Sequence, residues 1–164
     1  MKTFLIYGAN GYTGELILRC AVERGMKPLI AGRNAEKIEV LARRFEVDFR
    51  VFSLDERKKL DAALSGGEVE FVLHCAGPFS LTSKQMVEAC LRTGKHYTDI
   101  TGEIAVFESL ARLDAQAAKA GIMMMPGIGF DVVPSDCLAR HLKNRLPGAT
   151  DLTLAFYGVG GTIS

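Results

Sequence analysis

The chain has 164 residues, enough for the core of one domain and too few for two of ordinary size. Twenty lysines and arginines against nineteen aspartates and glutamates leave a formal net charge of +1. That balance excludes the broad basic footprint of a nucleic-acid or anionic-membrane binder and leaves a small molecule as the expected partner.

No apolar run approaches the ~18 residues that a membrane span needs, and no signal-peptide pattern follows Lys2, so a cytoplasmic location is expected. Cys20, Cys75, Cys90 and Cys137 stand far apart and form no CxxC. They are expected as reduced core thiols, with neither a disulfide framework nor a metal site.

In chain order, FLIY (4–7) predicts a first strand, followed by the turn GANGYTG (8–14) and a helix with Leu16, Ile17, Cys20 and Ala21 on one face. PLIA (28–31) predicts the second strand, and Ile38, Leu41, Ala42 and Phe45 line the helix after it. FRVF (49–52) comes next, with Ser53 and Glu56 as a capping box before a third helix. EFVLHCA (70–76) precedes a helix faced by Met86, Val87, Cys90 and Leu91, and HYTDI (96–100) precedes one faced by Val106, Leu110, Leu113 and Ala117. IMMM (122–125) predicts the sixth strand, and Gly25, Gly94 and Gly121 stand where helices end in a left-handed residue. Near-continuous apolar strands separated by helices describe a doubly wound parallel sheet, an α/β fold covered on both faces.

DLTLAFYGV (151–159) differs, because it alternates apolar and polar positions and therefore predicts a strand with one covered face. The expected organisation is the doubly wound domain over residues 1–130, then a linker helix and the first strand of a second domain over 131–164. The chain reads as an amino-terminal piece truncated as that domain begins.

A glycine-rich turn between a strand and a helix suits a pyrophosphate, which must approach backbone N–H groups at the positive end of the helix without meeting a Cβ. Gly8 and Gly11 fit that demand, and Gly14 lets the helix pack closely on the sheet. Asn10 is expected to brace the turn through its amide, with Tyr12 and Thr13 near the phosphates. At the end of the second strand an NAD site usually carries an acid, but this strand ends AGRN. Arg33 suits a 2′-phosphate by charge and by its forked donors, which favours NADP over NAD. The alternative is a solvated Arg33 paired with Glu36.

HCAGPFS (74–80) ends the fourth strand across the switch point of the sheet, where Gly77 and Pro78 stop it sharply and Ala76 and Gly77 offer backbone groups to a nicotinamide half passing over the turn. His74 and Cys75 read as buried packing rather than as acid and nucleophile. Asp99, Thr101, Glu103 and Asp131 gather at the same sheet edge, where they face a substrate; the alternative for Thr101 and Asp131 is a role as caps or turn braces. Catalytic residues are not assigned.

GANGYTG, AGR, AGPF, HYTDITGE and GFDVVPSD, in that order, closely resemble the amino-terminal NAD(P)-binding domain of the saccharopine dehydrogenase-like family. The resemblance covers nearly the whole chain. It implies a Rossmann fold and an NAD(P)-dependent oxidoreductase acting on an amino-acid-derived or an enoyl or lipid substrate, with a second domain shaping the substrate site. It also implies that Gly8, Asn10, Gly11, Tyr12, Thr13 and Gly14 cradle the pyrophosphate, that Arg33 meets the adenosine end, and that Ala76, Gly77 and Pro78 border the nicotinamide. The competing reading is a noncatalytic NADP-binding sensor or regulatory module. No tyrosine is followed four residues later by lysine, which disfavours a short-chain dehydrogenase. The last apolar strand, without partners, allows a homodimer paired edge to edge.

Overall fold

The computed structural model describes residues 3–130, 132–155 and 157. Six parallel strands form one sheet in the order β3-β2-β1-β4-β5-β6, with β1 Thr3–Tyr7, β2 Leu29–Gly32, β3 Phe49–Val51, β4 Val69–His74, β5 His96–Asp99 and β6 Met124–Met125. The helices are α1 Tyr12–Glu23, α2 Ala35–Phe45, α3 Arg57–Leu64, α4 Phe79–Thr93, α5 Ile104–Ala111, α6 Asp114–Ala120 and α7 Val133–Arg145. The expected doubly wound, Rossmann-type α/β fold is present.

Its strands are continuously apolar because both faces are covered. Ile6 and Ile30 turn toward α1 and α2, where they pack with Leu18, Ile38 and Leu41. Leu5, Tyr7, Leu29 and Ala31, one residue out of phase, face the opposite layer with Leu60 of α3, Met86 of α4, Val106 of α5 and Ala117 of α6. Period-two alternation therefore feeds two cores at once. Gly25, Gly94 and Gly121 take positive φ after α1, α4 and α6, as expected.

Four local expectations are corrected. The buried stripe of α1 is Gly14, Leu18 and Ala21, with Cys20 exposed, because the helix is rotated to set Gly14 against the turn. Cys137 is exposed as well, so only Cys75 and Cys90 among the thiols are held inside or partly inside. Glu56 accepts the Ser53 N–H at 3.0 Å, but α3 starts only at Arg57, so this half of a capping box closes a turn rather than capping the helix. The helix expected to run from Val106 to Ala117 is two, because a tight turn at Leu110–Leu113 interrupts it while keeping its apolar residues on one side.

The strand expected over 151–159 does not form over its described residues 151–155. Among the described residues no strand pairs with them, and Leu152 and Leu154 are exposed. Residue 156 and residues 158–164 lie outside the described residues.

Candidate functional site

The carboxyl ends of β1, β2, β3 and β4 open onto a cleft of about 590 Å³. Gly8, Asn10, Gly11, Arg33, Ala76, Gly77 and Pro78 line it, so seven of the ten expected site residues meet in one place. Tyr12 and Thr13 open α1 beside it, and Gly14 lies beneath the turn rather than in the cleft wall. Asp131 lies outside the described residues.

The three glycines of the first turn do different work. Gly8 has φ +84°, and a Cβ there would meet the Cβ and N of Ala76 at 2.9 Å. Its missing side chain is occupied by the end of β4, not by room for a ligand, which corrects the expectation for Gly8. A Cβ on Gly14 would collide with the Gly8 carbonyl and come within 2.9 Å of the Ala9 Cα, so its absence lets α1 close on the turn.

Gly11 is the glycine whose vacancy faces the cleft: only the Gly8 carbonyl, 3.3 Å away, would touch its Cβ. Gly11 is also the N-cap of α1, and no side chain caps that helix. The first N–H groups of α1 are therefore left for water or an anion, at the positive end of a 12-residue helix.

Asn10 does not brace the turn, for its amide makes no hydrogen bond among the described residues. It crosses instead to β2, where its Oδ1 lies 2.8 Å from the position a Gly32 Cβ would take. Gly32 is thus a site residue that sequence reasoning missed, although its place between the strand and Arg33 was a signal. Arg33 makes no ion pair with Glu36 or with any other described residue. Lys37, also missed, is equally free of ion pairs and lines the same cleft one turn later, its backbone N–H capped by Asn34 Oδ1 at 2.9 Å. Two cations without an internal partner thus share one wall, and Ser53 and Asp55 after the neighbouring β3 line the same cleft.

The opposite wall is built on buried polar contacts. His74 is fully buried, and burial pushes its imidazole down to about 3, leaving it neutral. The Thr82 hydroxyl donates to the Ala76 carbonyl at 2.7 Å and stands 3.0 Å from His74 Nε2, so His74 is the donor to Thr82. Burial raises the Cys75 thiol to about 12. A neutral imidazole and an un-ionised thiol are packing groups, as expected, not an acid and a nucleophile.

Asp99 is also fully buried, and three donors serve its carboxylate: Tyr97 Oη at 2.7 Å, Thr101 N–H at 3.0 Å and Gly127 N–H at 2.9 Å. The Thr101 hydroxyl accepts the Glu103 N–H at 3.0 Å. For Thr101 the geometry is that of a turn brace, and Asp99, expected to face a substrate, braces the same turn. Among the described residues no cluster of His, Cys, Asp or Glu can hold a metal ion, and no helix is long and apolar enough to cross a membrane.

A parallel sheet of this order, with a glycine turn leading into an uncapped helix at its switch point, defines a Rossmann-type dinucleotide-binding domain. Residues 4–125 match the saccharopine dehydrogenase NADP binding domain, and the chain belongs to that family. The trans-acting enoyl reductase of Mycobacterium leprae is 30% identical over 148 residues, covering 87% of this chain and 35% of that protein. The mouse saccharopine dehydrogenase-like oxidoreductase is 24% identical, covering 93% of this chain and 40% of its own length. The chain thus spans well under half of these relatives. Among solved structures, the apo saccharopine dehydrogenase (L-Glu forming) of Saccharomyces cerevisiae superposes with a TM-score of 0.76 at 19% identity, over 91% of this chain and 32% of that one. At that identity the likeness establishes the fold.

Proposed function

We propose that the protein is an NADP-dependent oxidoreductase whose cleft holds the dinucleotide. The observation that carries the preference for NADP is the pair of unpartnered cations, Arg33 and Lys37, in the wall where an NAD site would place an acid. A 2′-phosphate gives both a counter-ion, and the Arg33 fork donates to two of its oxygens.

The fit extends along the cleft. The vacancy at Gly11 and the uncapped end of α1 receive the pyrophosphate, with the Tyr12, Thr13 and Gly14 N–H groups turned to it. Gly8 and Asn10 shape the turn from behind and from the side. Ala76, Gly77 and Pro78 border the nicotinamide half. When bound, the cofactor supplies a hydride donor or acceptor. The residues of this chain bind and orient it; reduction of a substrate carbon is completed by a proton delivered to the neighbouring atom.

Two substrate classes enter the proposal, an enoyl or lipid substrate and an amino-acid-derived one; the name enoyl reductase supports the enoyl group of the first and the name saccharopine dehydrogenase the second. The reading also assigns residues 1–130 to the dinucleotide domain and 131–164 to the start of a substrate-shaping domain. In support, α7 buries none of its residues, and Leu138 and Leu142 on it and Leu146 just after it are exposed at a spacing of four. The test is NADPH oxidation at 340 nm by the protein, offered an enoyl thioester or a 2-oxo acid with an amino acid. Turnover of either supports the oxidoreductase and selects the class. Tight NADPH binding with no turnover of any substrate moves the reading to a regulatory NADP-binding module.

A further inference from the structure

Glu103 caps two helices at once. Its backbone carbonyl accepts the Val106 N–H at 2.9 Å in the first turn of α5. Its carboxylate reaches across to α4, accepting the Phe79 N–H at 2.6 Å on Oε1 and the Ser80 N–H at 2.9 Å on Oε2. No side chain of α4 itself caps that end, which begins at Pro78. A carboxylate from another helix, 24 residues away in sequence, supplies the anion that this helix end favours. Hydrogen bonding to Ser80, the largest cause, holds the Glu103 carboxyl below its ordinary range, so it is ionised at neutral pH.

The clip has rigid supports on both sides. Behind Glu103, its own N–H is fixed to Thr101, which is fixed to Asp99, and both of those residues are fully buried. In front of it, the first turn of α4 holds the cleft wall, because the Thr82 hydroxyl donates to the Ala76 carbonyl. The turn Ala76–Pro78 and the start of α4 therefore move as one body, and Glu103 sets where that body stands. Glu103 itself does not line the cleft. Its carboxylate also fills the N-terminus of α4, so the phosphates are left with that of α1.

We propose that Glu103 is a positioning residue for the nicotinamide half of the cofactor, acting through the Phe79 and Ser80 N–H groups on the Ala76–Pro78 wall. The inference rests on the NADP reading above. It separates the two halves of the cleft: loss of the clip displaces the wall beside the nicotinamide and leaves the Arg33 and Lys37 wall untouched.

The test uses two probes, NADPH, followed by its nicotinamide fluorescence, and 2′,5′-ADP, which has only the adenosine end. Each is titrated into wild type, Glu103→Gln and Glu103→Asp, with thermal melting of each variant measured alongside. Gln keeps the length but sets an amide N–H₂ against one of the two donors; Asp keeps the charge but falls a methylene short. In both variants NADPH affinity is expected to fall about tenfold, as for loss of one charge-assisted contact, with a diminished nicotinamide emission change and an unaltered Kd for 2′,5′-ADP. Equal weakening of both probes, or no change in either, in a folded variant overturns the inference. Should either variant fail to fold, the other decides; should neither fold, Glu103 is a determinant of the fold and the inference is overturned. Wild type that binds neither probe overturns the cofactor reading itself, and this inference with it.

Discussion

Replacing Gly8 and Gly11 in turn with alanine separates what the first turn needs to fold from what it needs to bind. At Gly8 the backbone sits at φ +84°, a region that costs an L-residue about 1–2 kcal/mol. The new methyl would also press on the Ala76 Cβ and N at 2.9 Å, with backbone among the atoms that must yield, an overpacking cost of about 1–3 kcal/mol. Gly8→Ala is therefore expected to lose about 2–5 kcal/mol, a large share of the ~5–15 kcal/mol that holds a domain. Gly11 has φ −82°, and its methyl would meet only the Gly8 carbonyl at 3.3 Å, so Gly11→Ala is expected to cost under about 1 kcal/mol of stability. That methyl projects to where the phosphates approach α1, and NADPH affinity should drop at least about tenfold. Urea unfolding followed by circular dichroism measures the first quantity and calorimetric titration the second. A Gly8→Ala protein as stable as wild type, or a Gly11→Ala protein that binds NADPH normally, would refute the division of labour.

Asp99→Ala leaves three buried donors without an acceptor, at about 1–2 kcal/mol each, so about 3–6 kcal/mol of stability should be lost. Asp99→Asn keeps one oxygen for Thr101 and Gly127, while the Tyr97 hydroxyl turns to accept from the amide, so its loss should stay near 1–2 kcal/mol; equal losses in urea unfolding would argue against the bracing role. His74 is neutral when folded, with its pKa lowered from 6.5 to about 3. The unfolded chain then binds the extra proton below pH 6.5, so its contribution is complete above that value and stability falls, by up to about 1.4 kcal/mol per unit, as pH drops from 6.5 toward 3. The stability difference between wild type and His74→Phe should be flat above pH 7 and shift against wild type below 6; a difference independent of pH would contradict the buried neutral imidazole.

Much of the fold is legible in the residues, for a physical reason. A parallel sheet covered on both sides needs unbroken apolar strands, and FLIY, PLIA and FVLH are unmistakable in a chain that alternates them with helical periods. The edges are less legible: IMMM yields a strand of two residues, because among the described residues β6 has a neighbour on one side only. The tight turn between α5 and α6 leaves the spacing of Val106, Leu110 and Ala117 intact and so leaves no mark on periodicity.

In the site, the strand ends put Arg33 and the Ala76–Pro78 turn on one cleft, because a doubly wound sheet fixes which ends face the switch point. What the sequence cannot display is contact across it. The reason for Gly8 lies in Ala76, the resting place of Asn10 in Gly32, and the partners of Glu103 in Phe79 and Ser80. Each of these pairs is brought together only by the finished sheet.

The central claim is that this cleft is an NADP site read by its free cations. Calorimetric titration with NADPH and NADH, on wild type beside Arg33→Ala, tests it most directly. Loss of a charge-assisted contact of about 1.5–3 kcal/mol predicts that wild type prefers NADPH and that the variant binds it about 10- to 100-fold more weakly while binding NADH unchanged. Equal affinity of wild type for both cofactors, or an Arg33→Ala variant that keeps the preference, would contradict the account.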